Sequence, residues 1–299
     1  MPFQRSLSVL LICCLFLGDL HAEGTAETED HADTPLSPYS LRHSPDRPRS
    51  LFWPQFTSLL LPGFDQWWEE QNDYALSYTG LAGGGLAYAL AAENVGDKRH
   101  VGLGVQAFSA AGGYSAFHSF RSAVKSRRGQ GDFGFLEIEE PPSEIFFAPF
   151  RLDYLGRVTT LIPVLTAAVL VAIGQIDFSG LTGSDVFFSG ATSYFAGTWE
   201  ECAFRGWLMP LTMHYMDNRY VANFLTCLLF GAAHYNGTFI PWPQFLLGLY
   251  VGEVSQRNQW TLSESIFIHS WWDVILLSAE YSRQRGETYV ALPRLYLVF

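Results

Sequence analysis

Long apolar blocks with almost no charge inside them constrain this chain more than any other feature. In its second half they run over Val158 to Ile176, Val186 to Met216, Val221 to Tyr235, Phe245 to Val254 and Leu262 to Leu277. Earlier, Tyr74 to Ala92 and Val101 to Phe117 are uncharged and rich in Gly and Ala, small residues that let helices pack closely. Composition agrees: 48% of the 299 residues are hydrophobic and only 16% charged, against about 25% charged in average soluble chains. A buried soluble bundle would show polar faces at a helical period, and these blocks lack them. The expected fold is all-α: a polytopic transmembrane helix bundle, with roughly seven helices after an N-terminal signal segment.

The rest of the chain divides around these blocks. Residues 1–22 carry Arg5, a short apolar core and the exit "LHA", as a secretory signal peptide does; an uncleaved anchor is the alternative. Residues 23–73 combine an acidic, disordered segment with an interfacial stretch. Its apolar run from Leu51 to Phe64 is too short to span, and Trp53, Trp67 and Trp68 flank it. A transmembrane hairpin is expected over 74–128, a polar linker over 129–143, and a second membrane domain over 144–299. The net charge of −11 argues against nucleic-acid binding. The four cysteines form no Cys-x-x-Cys, so neither a disulfide framework nor a thiolate zinc site is indicated.

Ionisable groups inside membrane helices are costly and mark functional sites by default. Here they fall into short clusters. In "TWEECAFRG", Glu201 and Arg205 are four apart and share a helix face, so they can pair. Glu200 points about 100° away and is left as a carboxylate free for other work. In "FGAAH", Phe230 and His234 share a face; in "HSWWD", His269 and Asp273 do. A buried acid and bases that face one cavity could activate water and stabilise charge. Glu200, His234 and His269 could equally hold a metal such as zinc. There is no His-Glu-x-x-His, no Gly-x-Ser-x-Gly elbow and no phosphate-binding glycine loop.

The ordered set "EECAFR", "FGAAH" and "HSWWD" resembles the CPBP family of intramembrane proteases, also called the CAAX-protease and bacteriocin-processing or ABI family. The resemblance covers about Leu155 to Ala279 and makes 144–299 a CPBP-type protease domain. It implies hydrolysis of a peptide bond in a membrane-associated peptide or protein, with membrane lipid as the surroundings. By position, Glu200 would be the general base, working with His234 on the attacking water. His269 and Asp273 would stabilise the oxyanion, and Glu201, Arg205 and Phe230 would support the architecture. The family leaves metal use open, so the cofactor is either a divalent metal or none. Asp273 stands where prenyl-protease members typically have Asn, and an ionised Asp cannot donate to an oxyanion. Either it is protonated, or it orients His269, or it binds a cation. A signal peptide before a multi-pass protease points to the inner membrane of a Gram-negative bacterium. The alternative is a non-catalytic membrane scaffold or immunity-type factor of the same fold.

Overall fold

The computed structural model describes residues 49–127, 132–235 and 241–285. The expected signal peptide and the acidic stretch up to residue 48 lie outside them. Among the described residues the fold is all-helical, with no strand. The helices are α1 (Trp53–Leu60), α2 (Phe64–Trp68), α3 (Asn72–Asn94), α4 (Lys98–Arg127), α5 (Pro142–Phe147) and α6 (Val158–Ala172). Then follow α7 (Gly183–Glu200), a π-helical segment (Glu201–Leu208), α8 (Met209–Met216), α9 (Arg219–Ala233), α10 (Trp242–Arg257) and α11 (Ser263–Arg285).

The expected count of transmembrane helices is not met. No helix among the described residues is long and apolar enough to cross a membrane. Two physical reasons account for this. Helices α6, α9 and α10 have 15, 15 and 16 residues, which at 1.5 Å per residue is well short of the ~30 Å hydrocarbon core. The longer helices dilute their apolar residues with Gly, Ser and the buried charges of the site. The outer surface is nevertheless apolar: Leu86, Leu165, Val169, Phe187, Phe224 and Leu246, on five different helices, are at least 48% exposed.

The interfacial stretch folds into α1 and α2 with an inverted pattern. Trp53 and Trp68 are 55% and 60% exposed, while Gln55, Ser58, Asp65 and Gln66 are buried. Ser58, Asp65 and Gln66 are satisfied from within, whereas Gln55 Oε1 has no hydrogen-bond partner. Arg49 donates to both Asp65 oxygens at 2.8 Å. Ser115 Oγ donates to Gln66 Oε1 at 2.6 Å and accepts from Gly63 N at 2.9 Å.

Helices α3 and α4 pack as a tight pair because neither has side-chain bulk at the crossing. A Cβ on Gly85 would lie 2.7 Å from the Gly104 carbonyl, and one on Gly104 would lie 2.5 Å from the Gly85 carbonyl. Helix α4 continues against α7, where a Cβ on Gly113 would lie 2.7 Å from Trp199 Cα. Arg99 at the start of α4 pairs with Asp185 at 2.7 Å. Asp185 also closes a capping box with Thr182 at the start of α7, which satisfies orphan N–H groups there.

Helices α7 and α11 run antiparallel at close range. Ser189 meets Ser278 through a 2.7 Å hydroxyl contact, and two turns along α7, Gly197 abuts Ser270. A Cβ on Gly197 would stand 2.5 Å from Ser270 Oγ and 2.9 Å from its backbone nitrogen. Gly197→Val is therefore expected to push the helices apart and lower the unfolding temperature by several degrees, an overpacking cost of about 1–3 kcal/mol, as thermal unfolding in detergent would show.

Glu140, within the stretch read as a polar linker, turns inward and closes the start of α11. It accepts from Leu262 N at 2.7 Å and Ser263 N at 2.8 Å, and from the Ser263 hydroxyl. A carboxylate at a helix N-terminus satisfies exposed N–H groups and complements the helix dipole. Glu140→Ala is expected to cost about 1–2 kcal/mol of stability, with increased amide exchange concentrated in the first turn of α11.

Candidate active site

The sequence clusters converge where the end of α7, the end of α9 and the middle of α11 meet. Glu200 is 3% exposed, Glu201 and Arg205 are fully buried, His269 is 2% exposed and Asp273 4%. His234 terminates α9 and is partly buried.

At Glu201 the regular ladder of α7 widens into π turns that last to Leu208. The slip precedes Pro210, which has no N–H to donate and whose ring would press on the carbonyl four residues back. Single π turns inside α-helices often mark functional sites. Glu201 and Arg205 keep a common face and pair, with Arg205 Nη1 donating to Glu201 Oε1 at 3.1 Å. The Arg205 guanidinium lies over the Phe230 ring at 4.5 Å. Gly248 of α10 makes room for it, since a Cβ there would lie 2.8 Å from Arg205 Nη2.

Glu201 has a second partner that the helical spacing did not reveal. Its Oε1 also accepts from His269 Nδ1 at 2.7 Å. Glu200 approaches the other nitrogen of the same imidazole, with Oε2 3.5 Å from His269 Nε2. The adjacent carboxylates thus meet opposite ends of one ring. Asp273 Oδ2 lies 3.4 Å from His269 Nε2, so it faces the nitrogen on the Glu200 side. The Nδ1 side of His269 is thus held by Glu201, while Asp273 meets the ring at Nε2.

His234 repeats the arrangement. Its Nδ1 lies 2.8 Å from the Phe230 carbonyl, which can only accept, so Nδ1 carries the hydrogen. Its Nε2 is 3.7 Å from Glu200 Oε2. Phe230 fills the space between: its ring centroid is 4.6 Å from that of His234 and 5.8 Å, edge to face, from that of His269. It has 1% exposure and wedges the two imidazoles apart from Arg205.

With both Nδ1 atoms committed as donors, the His234 Nε2 lone pair and the carboxylate oxygens of Glu200 and Asp273 face the centre as acceptors, beside a His269 Nε2 that accepts when neutral and donates when protonated. Neither Glu200 Oε2 nor Asp273 Oδ2 has a hydrogen-bond partner. A set of acceptors of this kind is matched by a molecule that donates more than one hydrogen, and water is the smallest.

Residues 182–275 match the family model "Rce1-like: Type II CAAX prenyl endopeptidase Rce1-like". This region belongs to the CPBP, or CAAX-protease, family. Comparison with curated proteins gave no match, and neither did comparison with solved structures. The Rce1-like domain begins at the Thr182 cap and contains all of the residues expected at the site. Proteins of this family are proteases embedded in membranes.

Among the described residues no group of three or more His, Cys, Asp and Glu is arranged to hold a metal ion. Were a divalent metal bound, Glu200, His234 and His269 would supply one carboxylate oxygen and two imidazole nitrogens to it. The sequence also gave no sign of Trp199 as a contact of the site's surroundings. Its indole Nε1 donates to Gln106 Oε1 of α4 at 2.9 Å, outside the matched region.

Proposed function

We propose that this membrane protease hydrolyses a peptide bond of a membrane-associated substrate with a water activated by Glu200. The observation that carries the reading is the position of Glu200: its Oε2 has no hydrogen-bond partner and lies beside both His234 Nε2 and His269 Nε2.

Glu200 takes a proton from the water as the oxygen attacks the scissile carbonyl. His234 accepts the second hydrogen of that water and fixes its direction, since its own Nδ1–H is committed to Phe230. His269, held at Nδ1 by Glu201, presents Nε2 to the developing charge. When Nε2 carries a proton it donates to the oxyanion, and Glu201 balances the charge on the ring, as a buried carboxylate does for a catalytic imidazole. Asp273, next to the same nitrogen, supports that protonated form rather than contacting the oxyanion. The proton on Glu200 passes to the leaving amine.

Within the reading, prenylated peptides of the CAAX type are the first substrates to try, because that is the activity in the description of the matching family. Membrane proteomes of cells expressing wild type or Glu200→Gln test the function without assuming a substrate. Uncleaved precursors are expected to accumulate only with the variant. Full function of Glu200→Gln would instead favour a non-catalytic scaffold of the same fold.

A further inference from the structure

The matched domain does not hold its own general-base turn alone. Trp199 immediately precedes Glu200, in the last regular turn before the π segment. Two residues of α4, both outside the matched region, grip it from the same side. Gly113 lets the α4 backbone touch the Trp199 backbone, with no room for even a Cβ. Gln106, seven positions earlier and so two turns away on the same α4 face, accepts the indole hydrogen at 2.9 Å. Gln106 is 9% exposed, and a buried amide in such a place is retained only with a partner.

A backbone contact and a side-chain tether fix different degrees of freedom. The Gly113 contact sets the distance between α4 and α7. The indole tether resists rotation of α7 about its own axis. Rotation matters here because Glu200 must keep one oxygen beside His234 on α9 and His269 on α11. The α-to-π transition is where the ladder is least regular, so the turn before it has least resistance of its own.

We infer that Gln106 is a positioning residue for Glu200, acting through Trp199, so that the α3–α4 hairpin is part of the catalytic unit. The inference rests on the proposed role of Glu200. Its test uses the full-length protein in detergent micelles and in membranes, with Gln106→Leu, Trp199→Phe and the double variant. The first readout is the rate at which dicyclohexylcarbodiimide, an apolar carboxyl reagent, modifies Glu200, followed by mass spectrometry. The second is processing of the precursors that accumulate with Glu200→Gln. The third is the unfolding temperature.

Gln106→Leu is expected to change the modification rate at Glu200, and to slow processing about tenfold or more, since small displacements of a catalytic group are costly. Trp199→Phe should do the same, and the double variant should be no worse than the poorer single one, because both remove one contact. Additive effects overturn the inference, as does a lower unfolding temperature with Glu200 reactivity unchanged. Should Glu200→Gln accumulate no precursor, the protease reading fails, and the modification rate alone still decides whether Gln106 governs Glu200.

Discussion

Glu200→Gln is expected to lower the rate of peptide cleavage by about 10³-fold or more, within the range of a lost general base, while leaving the fold intact. Gln is isosteric with Glu and keeps one acceptor, so the packing against His234 and His269 survives and the unfolding temperature should move little. The distinguishing comparison is with Asp273→Asn, which leaves Glu200 and its water in place. If Asp273 supports the protonated His269, Asn weakens but does not abolish turnover, and the loss appears in kcat rather than KM. Purified protein in micelles with a fluorogenic prenylated peptide measures both. Wild-type activity in Glu200→Gln would remove Glu200 from the chemistry.

The second large effect lies at Glu201 and Arg205. Both are fully buried, and removing one partner strands the other's charge. Arg205→Met alone is expected to cost about 3–5 kcal/mol. Replacing both, with Glu201→Leu and Arg205→Met, should recover much of that stability, since an apolar pair can substitute for a buried ion pair. Activity should not recover, because Glu201 Oε1 also receives the His269 Nδ1 hydrogen. Thermal unfolding and turnover would thus separate in one double variant. Recovery of both would reduce Glu201 to a counter-ion.

The contrast between those two carboxylates shows what was legible in the sequence. Glu201 and Arg205 at a four-residue interval announced their pairing, and the sequence placed His234, His269 and Asp273 with Glu200 because ionisable groups in apolar helices are conspicuous. The tight α3–α4 pairing followed from Gly and Ala content alone. That Glu201 holds His269 could not be read, because it depends on how α7 and α11 approach. Ser189, Gly197 and Ser270 set that approach, and small residues carry no local signal of the partner they admit. Glu140 likewise reads as one acid in a polar stretch until the fold brings it to α11, 122 positions along the chain. The helix count failed for a different reason. A hydrophobic block in the sequence looks like a whole span, but several of these blocks are too short as helices and others contain the site's own charges.

The π segment has a consequence for chain length. Its wider turns hold more residues per revolution than the regular helix on either side. Loss of one residue between 206 and 208 would let the ladder close in the regular α pattern through to α8. The wide turns hold the surplus residue, so that loss leaves the direction of α8 largely unchanged, whereas losing one residue in the regular helix on either side turns everything beyond it by about 100°. The π segment is therefore the one place in this helix where a change of chain length is absorbed locally, while α7 before it must keep its length for Glu200 to face His234 and His269.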